Sequence, residues 1–274
     1  MTGSPMMTLM FLSSLCAVLA CSAPADAPRP AAPAAQPGPA AVEPPAPEPT
    51  PAPASPAAKL DAAPLDQVLR KHVRGGFVDY RALKKDAAAQ AQLTAFLKAA
   101  ADMPESEPLS SWLNVYNALV IQLVLERYPL GSVMDVPDFF KALKRRVAGK
   151  ARSLDEIEHQ IIRKRFPDAR VHVALNCGAV SCPALQPRAF RESDLDANLT
   201  ALAKAAMADR LHVELKGGAL HVSALFFWFG EDFERDAGSV LGWIKRYGPP
   251  ELAKLPASTK LVQRKYDWKL ADAK

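Results

Sequence analysis

The sequence predicts an α+β fold: a single, mostly helical domain with a small antiparallel sheet, placed at residues 59–274. Three observations lead to this prediction. Several segments place apolar residues at helical spacing, and one segment alternates apolar and polar residues about a glycine pair. A tract of Pro and Ala separates all of these from the N terminus. The part beyond the tract is long enough to bury a sizeable core.

The N-terminal segment is typical of a secretory signal. Residues 10–20 form an apolar run that is too short to span a bilayer and ends in small residues. The run closes with Val-Leu-Ala-Cys at residues 18–21, which resembles the lipobox, in which the cysteine is acylated and becomes the first residue of the mature protein. We therefore predict a signal peptide at residues 1–20 and lipid attachment at Cys21. The alternative is an ordinary secretory signal with an incidental cysteine.

Residues 21–58 predict a disordered tether. They contain 13 of the 25 prolines, and a tract of Pro and Ala cannot build a core. We expect an outer-membrane lipoprotein of the cell envelope that faces the periplasm, since Ser22 replaces the aspartate that commonly retains lipoproteins at the inner membrane. Its expected partners are the bacterial membrane, through the lipid on Cys21, and an unknown envelope ligand or protein. An extracytoplasmic address and a net charge of only +5 disfavour nucleic acid.

The first half of the domain is predicted to be helical. Residues 65–73 have helical spacing and end at a Gly-Gly pair, before a short strand or turn at residues 77–80. Residues 87–100 predict a second helix. Residues 112–125 are apolar almost all round, which indicates a central buried helix that ends before Pro129.

Two amides interrupt this buried helix. Asn114 and Asn117 are three residues apart and therefore share one face, and asparagine is a poor residue for a helix interior. Because buried amides must be satisfied, the simpler interpretation is that both hold neighbouring loops. The other interpretation is a direct role in a site, for which Asn114 is the candidate.

A capping box marks the next helix. Ser153 and Glu156 have the required spacing and predict a helix over residues 154–165. Glu158 falls beside the inward apolar stripe of this helix, and His159 lies on its edge. An acid near a buried face is uncommon unless it is paired, so both residues are candidates for a site.

The candidate cysteines follow a predicted strand. Residues 171–175 alternate as a strand, with His172 on the face opposite the large apolar residues. The strand leads into a loop of small residues at 176–183 that contains Cys177 and Cys182. Functional sites often lie where a loop leaves a rigid strand.

The C-terminal part completes the domain. Residues 195–206 predict an amphipathic helix, and residues 212–223 predict a hairpin whose register places Glu214 opposite His221. We assign His212 and His221 to the solvated face of the hairpin, outside any site. Three aromatic segments remain: 226–229 and 241–244 are assigned to helical core, and 266–268 to a closing strand.

Five motifs follow one another along the domain. They are Trp-Leu-Asn-Val-Tyr-Asn-Ala at 112–118, Tyr-Pro at 128–129, Ser-Leu-Asp-Glu-Ile-Glu-His at 153–159, His-Val-Ala-Leu-Asn-Cys at 172–177 with Ser-Cys-Pro at 181–183, and Tyr-Asp-Trp at 266–268. Their order resembles the domain of unknown function 547 family, over about residues 65–270. Ala184 departs from the family, which often has a second proline there. The resemblance implies no settled activity and no catalytic residues.

The polar cluster gives rise to three hypotheses. The first is a cysteine-dependent hydrolase or transferase, with Cys177 as nucleophile and a histidine as base, by the logic of papain-like enzymes. An extended strand would hold His172 and Cys177 roughly 16 Å apart. His159 is therefore the preferred base, with Glu158 or Asn114 beside it.

The second hypothesis is a zinc site from four side chains of suitable type, His159, His172, Cys177 and Cys182. The third is structural: Cys177 and Cys182 form a disulfide, the histidines are buried hydrogen-bonding groups, and the domain is a binding or scaffolding module. We place the structural hypothesis slightly ahead of the catalytic one. We therefore predict no metal and no cofactor, and leave enzymatic activity open.

Overall fold

The computed structural model describes residues 59–273 of the chain; the predicted signal peptide, Cys21 and the tether lie outside them. The helices are α1 (Ala63–His72), α2 (Tyr80–Lys85), α3 (Ala87–Ala101), α4 (Leu109–Arg127), α5 (Leu154–Glu156), α6 (Arg163–Arg165), α7 (Leu195–Ala208), α8 (Leu225–Trp228), α9 (Gly230–Ala237), α10 (Val240–Tyr247) and α11 (Pro250–Ala253). The strands are β1 (Val73–Arg74), β2 (Phe77–Val78), β3 (Arg145–Val147), β4 (Lys150–Arg152), β5 (Val213–Lys216), β6 (Ala219–Val222) and β7 (Leu261–Gln263). The α+β prediction is confirmed.

Helix α4 organises the first half of the domain. Its side chains from Leu109 to Ile121 are all buried, and Trp112 has no exposed surface. A helix without a polar face is stable only when other elements surround it. Helices α2 and α3 and the segment after α5 pack against α4, while α1 packs on α3. None of the helices within residues 59–273 is both long and apolar enough to cross a membrane.

A second core lies under the C-terminal elements. Trp243 and Phe233 are buried at its centre, where their rings meet edge to face with centroids 4.9 Å apart. Helices α7, α9 and α10 and strands β5 and β6 contribute the surrounding side chains. Val173 belongs to this core, whereas its neighbour Ala174 belongs to the core around α4. The chain therefore passes from one core to the other beside the candidate cysteines.

Three small sheets are present among the described residues. Strands β1 and β2 form one antiparallel pair, and β3 and β4 form another. Strands β5 and β6 pair antiparallel with Glu214 opposite His221, as the hairpin prediction required. Strand β7 adds to β6 in the parallel direction, so this third sheet is mixed.

The helix predicted after the capping box forms, with an irregularity that the sequence analysis did not predict. The Ser153 hydroxyl accepts from the Glu156 N–H, and the Glu156 carboxylate accepts from the Ser153 N–H. Between α5 and α6, however, Ile157–Ile162 is a π-helical turn. Such turns are rare and occur frequently at functional sites.

The predicted strand at residues 171–175 is wrong. Ala169–Val173 forms a 3-10 helix, begun by the Asp168 carboxylate, which accepts from the Arg170 N–H at 2.9 Å. The alternation of large apolar residues with other residue types did not indicate a strand with one buried face, because residues 171–176 are all buried between the two cores. Periodicity distinguishes a strand from a helix only when one side faces water.

Three assignments near the C terminus also need correction. His212 is buried, with 4% of its surface exposed, so it does not lie on a solvated face. Phe227 and Trp228 are each 46% exposed and are not core. Residues 266–268 form no strand; instead the Ser181 N–H donates to the backbone carbonyl of Asp267, which holds this segment against the cysteine loop.

Candidate functional site

A cavity of about 240 Å³ lies between α4, the π-helical turn and the segment around α8. It is lined by Tyr116, Phe140, Lys141, Asp155, Glu158, His159, His172, Leu175, Cys177, Cys182, Pro183, Leu225, Trp228, Phe229, Tyr266 and Trp268. Four of the five candidate catalytic residues are therefore brought together, although they come from the π-helical turn, the 3-10 helix and the cysteine loop. Asn114 is the one that the structure places elsewhere.

Glu158 projects from the π-helical turn toward the cavity. Its carboxylate accepts a hydrogen bond from the Tyr116 hydroxyl of α4 at 3.2 Å. Burial disfavours the charged form and raises the pKa of Glu158 to about 7. A carboxyl group with that pKa can both donate and accept hydrogen bonds near neutral pH.

His159 is the next residue on the same turn. Its Nδ1 lies 2.9 Å from a guanidinium nitrogen of Arg163, and its Nε2 lies 3.6 Å from the Asp155 carboxylate. Because arginine can only donate, Nδ1 is the acceptor and the ring proton of the neutral form is on Nε2. Burial lowers the pKa of His159, so this neutral form is favoured.

His172 is more deeply buried than His159. Its Nε2 is 2.7 Å from the Asp232 carboxylate, and its ring stacks on Phe229 with centroids 4.0 Å apart. Burial lowers the pKa of His172, although the hydrogen bond to Asp232 and the charge of Asp232 act to raise it. Asp232 also accepts from Arg163 at 2.6 Å and from Arg235 at 2.8 Å. Burial opposes ionisation of Asp232, but its hydrogen bonds outweigh that effect and hold its pKa below the ordinary value.

The structure joins Cys177 and Cys182 by a disulfide. The Cys177 N–H donates to the Cys182 sulfur at 2.9 Å. The Tyr266 hydroxyl lies 3.3 Å from each of the two sulfurs. Cys182 is buried and Cys177 is half-buried. The 3-10 helix coils the chain before this loop, so His172 and Cys177 reach the same cavity, contrary to the separation expected from an extended strand.

Residues 100–205 match the model of a family described as Protein of unknown function, DUF547. The chain is similar to the DUF547 family over this segment. No curated protein and no solved structure matches the chain. The matched segment contains Glu158, His159, His172 and both cysteines.

Aromatic side chains from beyond the matched segment form one wall of the cavity. Trp228 stacks on Trp268 with centroids 5.8 Å apart, and Tyr266 lies 4.8 Å from Trp228 and 4.6 Å from Trp268. Trp228 keeps 46% of its surface exposed. We call Trp228, Tyr266 and Trp268 the aromatic wall. It gives the cavity a broad apolar face.

The two asparagines of α4 both bond to backbone groups. Asn114 donates to the Phe190 carbonyl at 2.9 Å and accepts from the Phe190 N–H at 2.8 Å. Asn117 donates to the Ala174 carbonyl at 3.0 Å and accepts from the Asn176 N–H at 2.9 Å. Each amide therefore holds a loop, and Asn117 holds the loop that carries Cys177.

The described residues offer no ligand set for a metal. No group of three or more His, Cys, Asp or Glu side chains within residues 59–273 is arranged to hold an ion. Both sulfurs are in the disulfide, and His159 and His172 each have a side-chain partner already. The zinc hypothesis therefore gains no support from the geometry.

Several residues of the site were missed from the sequence. Tyr116 was overlooked beside the more unusual Asn117, although a tyrosine in a buried helix needs a partner for its hydroxyl. Asp232 and Arg163 gave no local signal, because they meet only through the tertiary fold. Trp228 was assigned to core from its apolar neighbours, since composition does not tell which aromatic of a run faces a cavity.

Proposed function

We propose that this protein is a lipid-anchored binding module of the cell envelope, and that its cavity binds a neutral, hydroxylated ring such as a saccharide. The observation that carries the proposal is the aromatic wall facing the Glu158 and Tyr116 pair across one cavity. Ligand sites typically combine a predominantly apolar lining with a few polar groups that fix orientation.

The chemistry of the two sides favours this ligand class. A sugar ring presents an apolar face of C–H groups, which suits the half-exposed face of Trp228, and hydroxyls at its edge. Those hydroxyls both donate and accept, and they match a carboxyl group that does the same near neutral pH. His159 offers an Nε2–H donor beside it. A strongly charged ligand is less suitable, because Lys141 and Asp155 place both signs of charge around the cavity.

The cysteines support binding over cysteine-dependent hydrolysis. A nucleophilic cysteine reacts as the thiolate, and the Cys177 sulfur is instead bonded to Cys182. The two histidines are also engaged: His159 accepts from Arg163, and His172 bonds to Asp232. The hydrolase alternative would need the disulfide to be reduced before catalysis.

A titration with an N-acetylglucosamine trisaccharide tests the binding proposal. Tryptophan fluorescence should change on addition, and Trp228→Ala should weaken the apparent affinity by about tenfold, because the stacking face is lost. Phe227→Ala is a matched control: this neighbour on α8 is equally exposed but lines a different cavity. Absence of saturable binding, or equal loss in both variants, would contradict the proposal.

The anchor is tested separately. Cys21→Ala should move the protein from the membrane fraction to the soluble fraction of the cell envelope, because the acylated cysteine is the proposed attachment point. The melting temperature of the domain should not change. A variant that stays on the membrane to the same extent as the natural protein would show that Cys21 is not the anchor. Attachment of the natural protein to the inner rather than the outer membrane would contradict the expected outer-membrane location.

A further inference from the structure

We infer that the Cys177–Cys182 disulfide exchanges with a dithiol that enters the cavity, with Cys177 as the sulfur attacked and Cys182 as the leaving group. This activity goes beyond ligand binding and does not depend on the saccharide proposal. It rests on an asymmetry between the two sulfurs in exposure and in hydrogen bonding.

Exposure distinguishes the two cysteines first. A disulfide is broken by a thiolate that reaches one sulfur along the S–S direction, so access to that sulfur limits the rate. Both cysteines line the cavity, but Cys177 is half-buried whereas Cys182 keeps only 4% of its surface exposed. An incoming thiolate therefore meets Cys177 first.

Hydrogen bonding distinguishes them in the same direction. The Cys182 sulfur accepts from the Cys177 N–H at 2.9 Å and from the Tyr266 hydroxyl at 3.3 Å. The Cys177 sulfur has only the same Tyr266 hydroxyl near it, also at 3.3 Å. Donors stabilise a thiolate and lower the pKa of its thiol, and a thiol of lower pKa leaves faster. The developing charge is therefore best accommodated on Cys182.

The exchange balances in two steps. One thiol of the donor loses its proton, for which the Glu158 carboxylate of the same cavity is the acceptor. The resulting thiolate attacks Cys177, the bond to Cys182 breaks, and Cys182 leaves as a thiolate that takes up a proton. The second thiol of the donor then loses its proton and attacks the donor sulfur of the mixed disulfide, and Cys177 leaves as a thiolate that takes up that proton. The dithiol is oxidised by two electrons and becomes a disulfide, while the two cysteines are reduced to thiols.

The first test asks whether the folded protein exchanges at all. Native protein is treated with millimolar dithiothreitol, quenched with iodoacetamide, and the peptides carrying each cysteine are measured by mass spectrometry. We expect both Cys177 and Cys182 to become alkylated while the circular dichroism spectrum remains native. A disulfide that resists dithiothreitol until the domain is unfolded would overturn the inference.

The second test asks which sulfur is attacked. Cys182→Ser leaves only Cys177 of the pair, and Cys177→Ser leaves only Cys182. With glutathione disulfide as the probe, Cys177 should form its mixed disulfide about tenfold faster than Cys182 does, because the burial of Cys182 outweighs its larger thiolate fraction. Equal rates, or a faster Cys182, would overturn the assignment of roles.

The third test isolates the hydroxyl. Tyr266→Phe keeps the ring in the aromatic wall but removes the donor, and it should slow reduction by dithiothreitol about tenfold, since hydrogen bonds to charged groups are the strong ones. Tyr247→Phe is the matched control, because Tyr247 packs on Trp243 away from the cysteines. An equal rate for the two variants would contradict a role for Tyr266.

Discussion

Helix α4 and the helical segment from α5 to α6 both carry polar side chains within apolar sequence, and they use them in opposite ways. In α4, Asn114 and Asn117 each satisfy one backbone carbonyl and one backbone N–H. In the other segment, Glu158 and His159 have only side-chain partners and face the cavity. The first pair completes the fold, whereas the second pair leaves hydrogen-bonding capacity for a ligand.

The difference offers a general criterion. A polar residue in an apolar helix is structural when backbone groups consume its donors and acceptors, because backbone groups are obligatory partners that no ligand can replace. It is a candidate for function when its partners are other side chains and its remaining capacity points into a cavity. Sequence spacing alone does not separate the two cases.

The largest effect expected from this comparison is on the stability of α4 variants. Asn117→Ala would leave the Ala174 carbonyl and the Asn176 N–H buried without partners, so the free energy of unfolding should fall by about 3 kcal/mol. Urea denaturation measures the loss. Gln122→Ala is the control on the same helix, where the half-buried side chain should change stability by no more than about 0.5 kcal/mol. Similar losses in both variants would remove the distinction drawn for α4.

The next effect depends on pH and concerns Glu158. We expect Glu158→Gln to be more stable relative to the natural protein at pH 7 than at pH 4.5, by about 2 to 3 kcal/mol. The measurement is the free energy of unfolding of both proteins at each pH. Because other groups titrate alike in both, their contributions cancel in the difference.

The sign follows from proton binding. Burial raises the pKa of Glu158 from 4.5 to about 7 in the folded protein. Between those two values the folded state binds more protons at this position than the unfolded state does. The free energy of unfolding of the natural protein therefore falls as pH rises through this window, and glutamine abolishes that dependence. A difference that stays constant with pH would show that the Glu158 carboxyl is well solvated.

Local sequence signals were sufficient for most of the helices and for the β5–β6 hairpin. The capping box at Ser153 and the apolar run of α4 predict elements because their causes lie within a few residues. The strand prediction for residues 171–175 was wrong for the opposite reason. Its conformation is set by burial between two cores and by the Asp168 cap, and neither is visible in an alternation of side chains.

The sequence predicted which residues belong to the site better than it predicted how they are arranged. Glu158 and His159 were selected because a polar residue beside an apolar stripe needs an explanation, and the cavity supplies one. The partners Tyr116 and Asp232 come from distant elements, so only the tertiary fold brings them in. The aromatic wall was assigned to core and strand because apolar character does not distinguish a packed ring from one that faces a cavity.

The smallest expected effect is on the stability of the π-helical turn. His159→Gln should change the free energy of unfolding by less than about 1 kcal/mol, because contacts of a partly exposed side chain with charged neighbours, here Arg163 and Asp155, contribute little. Arg163 loses one acceptor but keeps the Asp232 carboxylate at 2.6 Å. Gln160→Ala, at the exposed neighbouring position, is the control for the turn itself, and urea denaturation of both variants beside Asn117→Ala makes the comparison direct. If His159→Gln lowered the free energy of unfolding as much as Asn117→Ala does, His159 would be a structural residue. The criterion that separates structural from functional polar residues would then be wrong for this cavity.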